Sequence, residues 1–126
     1  MMSNRPCVKI FGIANCSTVK KALTWCQQRN IAYDFHDYKK AGVPLDRLVE
    51  WCKTLGWKAL INTKGLTWRK LTPDQQDITT QSEAVATMKE FPSVIKRPIV
   101  ETAEGQILVG FDEKVFEERL KPQLLR

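Results

Sequence analysis

One cysteine of this chain lies where a thiol becomes reactive, between a predicted strand and a predicted helix. Cys16 follows the apolar run of residues 7–13 and directly precedes Ser17, where a helical pattern begins. A side chain at a helix N-terminus meets backbone N–H groups without helical partners and the positive end of the helix dipole. Both stabilise a thiolate, and Lys20 and Lys21 add positive charge about one turn further on. We predict a lowered pKa and a nucleophilic role for Cys16; the alternative is a small residue that merely fits the turn.

The other three cysteines give weaker signals. Cys26 and Cys52 complete apolar stripes of predicted helices, which is typical of thiols packed in a core. Cys7 is separated from Cys16 by roughly 25–30 Å of extended chain, whereas a disulfide needs Cα atoms within about 7 Å. No cysteine stands three positions after Cys16, so a redox cycle would take its second thiol from outside, with glutathione as the candidate. A role for Cys52 as the resolving thiol stays open, and no metal site is predicted, since no zinc spacing is matched.

Length, composition and charge define the class of protein. The chain has 126 residues, 43% of them hydrophobic and 27% charged, which is typical of a globular domain rather than a disordered or fibrous chain. No apolar run approaches the roughly 20 residues of a membrane helix, and the first residues lack the apolar core of a signal peptide. We therefore expect a cytoplasmic protein without a membrane partner. The net charge is +6, but the basic residues are scattered in short pairs, so no nucleic-acid partner is expected.

The first part of the chain predicts a strand, a helix and a second strand. Residues 7–13 have the continuous apolar character of a buried strand. Residues 17–29 repeat apolar side chains at helical spacing. Residues 31–38 alternate apolar and polar side chains, which indicates a half-buried strand, parallel to the first because a helix joins the two.

The remainder predicts a helical insertion, about residues 42–92, followed by a hairpin and a last helix. The expected helix starts are at Pro44, Thr72, Ser82 and Asp112. A polar loop is expected at residues 62–70. Two apolar segments, residues 98–101 and 106–109, flank a turn with a glycine. The whole is an α/β chain, predicted to form a single domain over residues 1–126.

A basic pair followed by proline marks the beginning of the third predicted strand. Proline lacks the N–H that a sheet ladder needs, so Pro98 belongs at a strand start, an edge or a special turn. Taken alone, Lys96, Arg97 and Pro98 indicate only a strand start with exposed basic side chains.

Together these residues resemble the arsenate reductase-related branch of the thioredoxin-like superfamily, over nearly the whole chain. The segments that carry the resemblance are residues 11–16 (Phe-Gly-Ile-Ala-Asn-Cys), residues 57–65 and residues 96–99. Residues 67–71 and the Gly110-Phe111 pair are similar to the YffB-like subgroup of glutathione-dependent thiol reductases.

The resemblance implies a thioredoxin-like four-stranded mixed sheet in the order 2-1-3-4, with the helical insertion between strands 2 and 3. It implies Cys16 as the nucleophile, Arg97 as a partner for an anion or for the thiolate, and a cis peptide bond before Pro98. The predicted catalytic residues are Cys16 and Arg97. The residues predicted to bind substrate or glutathione are Asn15, Lys20, Arg69, Lys96 and Pro98. No bound cofactor is expected, since glutathione would act as a co-substrate.

Departures from the pattern leave alternatives. Arsenate reductases of this fold surround the cysteine with three arginines, but this chain keeps only Arg97 and has Asn62 and Gly110 at the other positions. Their histidine four residues before the cysteine is Gly12 here. These changes argue against arsenate reduction, which needs dense positive charge. An Spx-like redox-sensing regulator that binds RNA polymerase is the second hypothesis, although such regulators typically carry C-x-x-C.

The sequence leaves three points undetermined. The physiological substrate and the oligomeric state are open. So is whether Trp68 and Arg69 line the site.

Overall fold

A four-stranded mixed sheet joins the beginning and the end of the chain in this computed structural model, which describes residues 7–121. The strand order is β2-β1-β3-β4, which confirms the predicted order. The strands are β1 (Val8–Gly12), β2 (Tyr33–Asp37), β3 (Ile99–Glu101) and β4 (Ile107–Val109).

The register of the sheet determines which segments meet at the end of β1. β1 pairs in parallel with β2, as expected for two strands joined by helix α1 (Ser17–Gln28). It pairs antiparallel with β3, and Phe11 lies opposite Ile99. Because the two strands run in opposite directions, the residues just before β3 continue past the last residue of β1. The cis peptide bond between Arg97 and Pro98, which the resemblance implied, is present at this place.

The chain divides into two compact units. The first contains the described residues 7–37 and 97–121, and the second contains residues 38–96. The predicted insertion, about residues 42–92, falls inside the second unit. The assignment of residues 1–126 to a single domain stays a prediction.

The first unit is built around one face of α1. Val19, Ala22, Trp25 and Cys26 are the buried residues of this helix, so Trp25 contributes more to the stripe than the half-buried Leu23. The ring of Trp25 meets that of Phe116 edge to face at 5.4 Å between centroids. Phe116 belongs to α7 (Glu113–Arg119), whose N-cap is Asp112, as predicted.

The second unit is helical. Its helices are α2 (Tyr38–Ala41), α3 (Leu45–Leu55), α4 (Leu66–Lys70), α5 (Pro73–Gln76) and α6 (Gln81–Glu90), with 3-10 turns at Trp57–Ala59 and Pro92–Val94. Leu48, Trp51 and Met88 of α3 and α6 are fully buried. An isolated antiparallel bridge between Ile61 and Ile95 leads the chain out of this unit. The expected polar loop at residues 62–70 is in part helical, because Gly65 ends the turn and Leu66 begins α4.

The predicted cap of α6 was placed two residues too late. Thr80, not Ser82, is the N-cap: its hydroxyl accepts a hydrogen bond from the backbone N–H of Glu83 at 3.2 Å. The Glu83 carboxylate accepts from the N–H of Thr80 at 3.1 Å in return. This reciprocal capping box satisfies two helix-end donors. Thr72 and Gln75 form the same arrangement at α5, as predicted.

We expect Thr80→Ala to lower the free energy of unfolding by about 1 kcal/mol, because it removes the acceptor for the Glu83 N–H. Ser82→Ala is the matched control and should change stability by less than about 0.5 kcal/mol, since Ser82 is exposed within the helix. Urea unfolding of both variants measures the difference. An equal loss of unfolding free energy in the two variants would show that the Thr80 side chain does not stabilise α6 as its N-cap.

Candidate active site

Cys16 is the N-cap residue of α1 and follows the turn that leaves β1. Its backbone is extended, with φ −148° and ψ 122°, and its carbonyl accepts the N–H of Lys20 at 2.9 Å, which closes the first helical turn. The side chain is half-buried and free of any disulfide. The neutral thiol makes no cap hydrogen bond. The donors at the start of the helix therefore remain available to a thiolate, which is a much stronger acceptor.

The surroundings of Cys16 favour the charged form. Burial raises the pKa of this thiol, but hydrogen bonds from the Val19 amide and the Arg97 side chain outweigh it, together with the Arg97 charge and the Thr18 amide. The net result is a pKa below the ordinary cysteine value. Thr18 and Val19 are the second and third residues of the helix, the positions whose N–H groups an N-cap side chain normally satisfies.

Arg97 reaches Cys16 from the segment that leads into β3. Pro98, which follows it, is buried, and its carbonyl accepts the N–H of Gly110 at 2.8 Å. The proline is thus fixed between β3 and the residue after β4, and Arg97 is held half-buried beside the helix start. A guanidinium keeps its charge at any relevant pH, so it is a permanent partner for the thiolate.

Asn15 and Lys20, two further predicted residues of the first unit, are exposed, and neither is among the groups that lower the pKa of Cys16. Lys20 and Lys21 line an open cavity of about 330 Å³ together with Trp25, Arg29 and Phe111. Arg97, which the resemblance implied as a partner for an anion or for the thiolate, is the cation that lowers the pKa of Cys16; Lys20 and Lys21 are not among the groups that do.

Arg69 and Lys96, also predicted to bind substrate or glutathione, belong to the second unit. The Arg69 guanidinium donates two hydrogen bonds to the carbonyl of Lys64, at 2.7 and 3.3 Å. Lys96 is exposed, and its backbone N–H donates to Leu60 at 2.7 Å. Trp68 is half-buried, and its carbonyl accepts from the side chain of Gln76 at 2.9 Å.

The surroundings of the other three cysteines disfavour the charged form of the thiol. Burial raises the pKa of Cys26 to about 11, only partly offset by the Arg29 charge. Burial raises the pKa of Cys52 as well, and burial together with the Asp34 carboxylate raises that of Cys7. Cys26 and Cys52 are buried, as predicted. Among the four cysteines, Cys16 is thus the one whose surroundings favour ionisation.

Within residues 7–121, no group of three or more His, Cys, Asp or Glu side chains is arranged to hold a metal ion. In the same part of the chain, no helix is both long and apolar enough to cross a membrane.

The predicted contribution of helix-start amides is supplied by Thr18 and Val19. One further residue near the site was missed. Gly12 appeared only as a missing histidine, yet it lies in contact range of both α1 and Arg97. The position of Gly12 beside Arg97 follows from the register between β1 and β3, which the sequence does not show.

A mixed sheet in the order 2-1-3-4, with one activated cysteine at a helix start beside a cis-proline segment, defines a thioredoxin-like protein. Residues 11–119 match the ArsC family, and the chain belongs to that family. This confirms the resemblance and the fold class.

The chain is similar to proteins of three different descriptions. The solved structure of the YFFB (PA3664) protein has a TM-score of 0.84 and 40% identity, over 90% of this chain and 98% of its own. An arsenate reductase (ArsC) related protein from Brucella melitensis has a TM-score of 0.71 and 38% identity, over 96% and 99%. The global transcriptional regulator Spx of Staphylococcus haemolyticus is 26% identical over 121 residues, 94% of this chain and 90% of Spx.

Alkylation by iodoacetamide as a function of pH tests the electrostatics, because only the thiolate reacts. We expect Cys16 to react with a midpoint below that of ordinary cysteine, since the amides of α1 and Arg97 lower its pKa. Arg97→Ala should move the midpoint upward, because a fixed positive charge is lost. Lys20→Ala is the matched control and should leave it in place. An Arg97→Ala profile that superimposes on wild type would rule out this role for the guanidinium.

Proposed function

We propose that this protein is a glutathione-dependent thiol oxidoreductase in which Cys16 is the nucleophile. The observation that carries the proposal is the contrast among its thiols. Cys16 has a lowered pKa because helix amides and Arg97 stabilise its charge, whereas the pKa values of Cys7, Cys26 and Cys52 are raised by burial. Such a selective arrangement at a helix start is what thiol–disulfide exchange requires.

The first step we propose is an attack on a mixed disulfide. The Cys16 thiolate attacks the glutathione sulfur of a substrate–glutathione disulfide. A new disulfide forms between Cys16 and glutathione, the substrate–glutathione bond breaks, and the substrate leaves as a thiolate that takes a proton from water. A sulfur with a pKa near the surrounding pH serves this step well, because it is ionised and still nucleophilic.

A second glutathione completes the cycle. Its thiolate attacks the glutathione sulfur of the adduct, Cys16 leaves as thiolate, and oxidised glutathione is released. The net reaction consumes one glutathione thiol: the substrate is released as a thiol, and its former glutathione leaves with the second one as a disulfide. A low pKa makes Cys16 a good leaving group in this step. The sequence provides no cysteine three positions on that would compete with the external thiol.

Arg97 serves both steps under this proposal. Its guanidinium balances the charge of the Cys16 thiolate before the attack and as it is released again. Asn15, Lys20, Lys96, Pro98 and Arg69 remain our predicted contacts for glutathione or substrate. Lys20 is exposed in the first unit, and Arg69 and Lys96 belong to the second.

Reduction of arsenate is not the activity we propose. A tetrahedral oxyanion calls for several bidentate cations, and two of the expected arginine positions are Asn62 and Gly110. Asn62 accepts the backbone N–H of Lys64 at 3.1 Å, which is a local turn contact. Gly110 has φ +81°, a left-handed conformation in which an arginine would be strained.

A redox-sensing regulator is the second candidate, favoured by the similarity to Spx over 94% of the chain. In that case glutathionylation of Cys16 would change the binding of RNA polymerase rather than form part of a catalytic cycle. Capture of RNA polymerase by the purified protein, together with absent glutathione turnover, would support the regulator over the enzyme.

Turnover of a mixed disulfide between glutathione and 2-mercaptoethanol, followed as release of oxidised glutathione, tests the enzyme. We expect Cys16→Ser to lower the rate at least about 100-fold, because loss of a covalent nucleophile costs orders of magnitude. Cys7→Ser is the matched control and should retain the wild-type rate. The mass of the intact protein after exposure to oxidised glutathione should show one adduct, absent in Cys16→Ser. Undiminished turnover by Cys16→Ser would refute the mechanism.

A further inference from the structure

Gly12, at the last position of β1, has less room for a side chain than any other glycine of the chain. A Cβ atom built on Gly12 would lie 2.9 Å from Cγ2 of Val19, closer than real Cβ contacts allow. The same atom would lie 3.9 Å from Cβ of Arg97 and 3.9 Å from Cα of Pro98. Gly12 is also fully enclosed, since it is buried in the sheet between β2 and β3.

The reason for glycine at this position is space and not backbone conformation. The glycines with positive φ are Gly42, Gly56, Gly105 and Gly110, whereas Gly12 is paired in regular strand geometry with Asp37 of β2. An alanine would adopt this backbone without strain. The distance to Val19 is therefore what separates glycine from alanine at this position, since 3.9 Å to Arg97 is an ordinary contact.

The two side chains nearest to Gly12 belong to residues that stabilise the Cys16 thiolate. Val19 donates through its backbone N–H, and Arg97 through its guanidinium. They approach from opposite parts of the chain, one from the first turn of α1 and the other from the segment before β3. Each therefore rests against the end of β1 at the point where Gly12 has no side chain.

We propose that Gly12 is a positioning residue for Cys16. Its missing side chain leaves room for Val19, so that the first turn of α1 can approach the end of β1 and bring the Val19 amide to the sulfur, beside Arg97. The inference rests on the proposed role of Cys16 as nucleophile. It concerns the geometry of the thiolate and not the choice of disulfide substrate.

A methyl group at this position could not be accommodated by the movement of a flexible side chain. Val19 is fully buried, and as a β-branched residue on a helix it has one strongly preferred rotamer. Relief of a 2.9 Å contact would therefore move the first turn of α1 with the Val19 amide. The amide would withdraw from Cys16, and the thiolate would lose a donor.

The test combines Gly12→Ala with Val19→Ala. The second substitution removes Cγ2, the atom that a Cβ at position 12 would strike, and leaves the backbone N–H that serves Cys16. We expect Gly12→Ala to shift the midpoint of Cys16 alkylation upward, toward the value of about 8.5 for an unperturbed thiol. The double variant should return to the midpoint of Val19→Ala alone, which is the matched control.

Each outcome decides the proposal. An unchanged midpoint in Gly12→Ala would overturn it, and so would a double variant whose midpoint stays above that of Val19→Ala. If Gly12→Ala does not fold, as judged by thermal unfolding, the comparison of the double variant with Val19→Ala applies alone. A double variant that also fails to fold would overturn the proposal, since contact with Val19 would then not be the limiting one.

Alkylation is independent of glutathione, so this test and that of the proposed function fail separately. A protein without glutathione turnover whose Cys16 midpoint shifts and recovers as stated keeps the positioning role and loses the enzymatic one. A protein with turnover whose midpoint is unmoved by Gly12→Ala keeps the enzymatic role and loses the positioning one.

Discussion

The negative charge of the Cys16 thiolate is the constraint on which the rest of the first unit depends. Burial opposes this charge, and the start of α1 together with Arg97 offsets the penalty. Two kinds of partner stabilise the thiolate more than either would alone. The helix start supplies dipoles that are fixed by the backbone, and the guanidinium supplies a full positive charge. Each contribution requires that its segment be held within reach of the sulfur. The packing at the end of β1 must therefore be tight.

The close packing at the end of β1 results from the combination of a parallel and an antiparallel neighbour in the sheet. β1 is central, with β2 parallel on one side and β3 antiparallel on the other. The parallel connection places the start of α1 beyond the end of β1, where ligands collect in α/β sheets. The antiparallel neighbour brings Arg97 to the same edge from a distant part of the chain. Gly12 lies between the two and leaves room for Val19 of α1, with the Arg97–Pro98 segment in ordinary contact range.

The sequence predicted helix caps and turns correctly where the interacting residues are close together in the chain. The Thr72 capping box, the Asp112 cap and the hairpin of β3 and β4 follow from residues a few positions apart. The prediction of Ser82 as the cap of α6 was wrong: Ser82 lies nearer the apolar residues, but Thr80 and Glu83 have the capping-box spacing and form the cap. Short α4 was missed as well, since five residues give too little periodicity to separate a helix from a polar loop.

The sequence by itself determined the α/β class, the order of strands through its resemblance, and Cys16 as the candidate nucleophile, because a helix start and its polarity are local properties. The resemblance pointed to Arg97 and the local spacing to Lys20 and Lys21, and only the tertiary structure decided between them. Lys20 and Lys21 line a cavity with Arg29 and Phe111, whereas Arg97 reaches Cys16 through the pairing of β1 with β3. The tertiary structure also explains why position 12 is a glycine, because β1, α1 and the segment before β3 approach one another closely only in the folded chain.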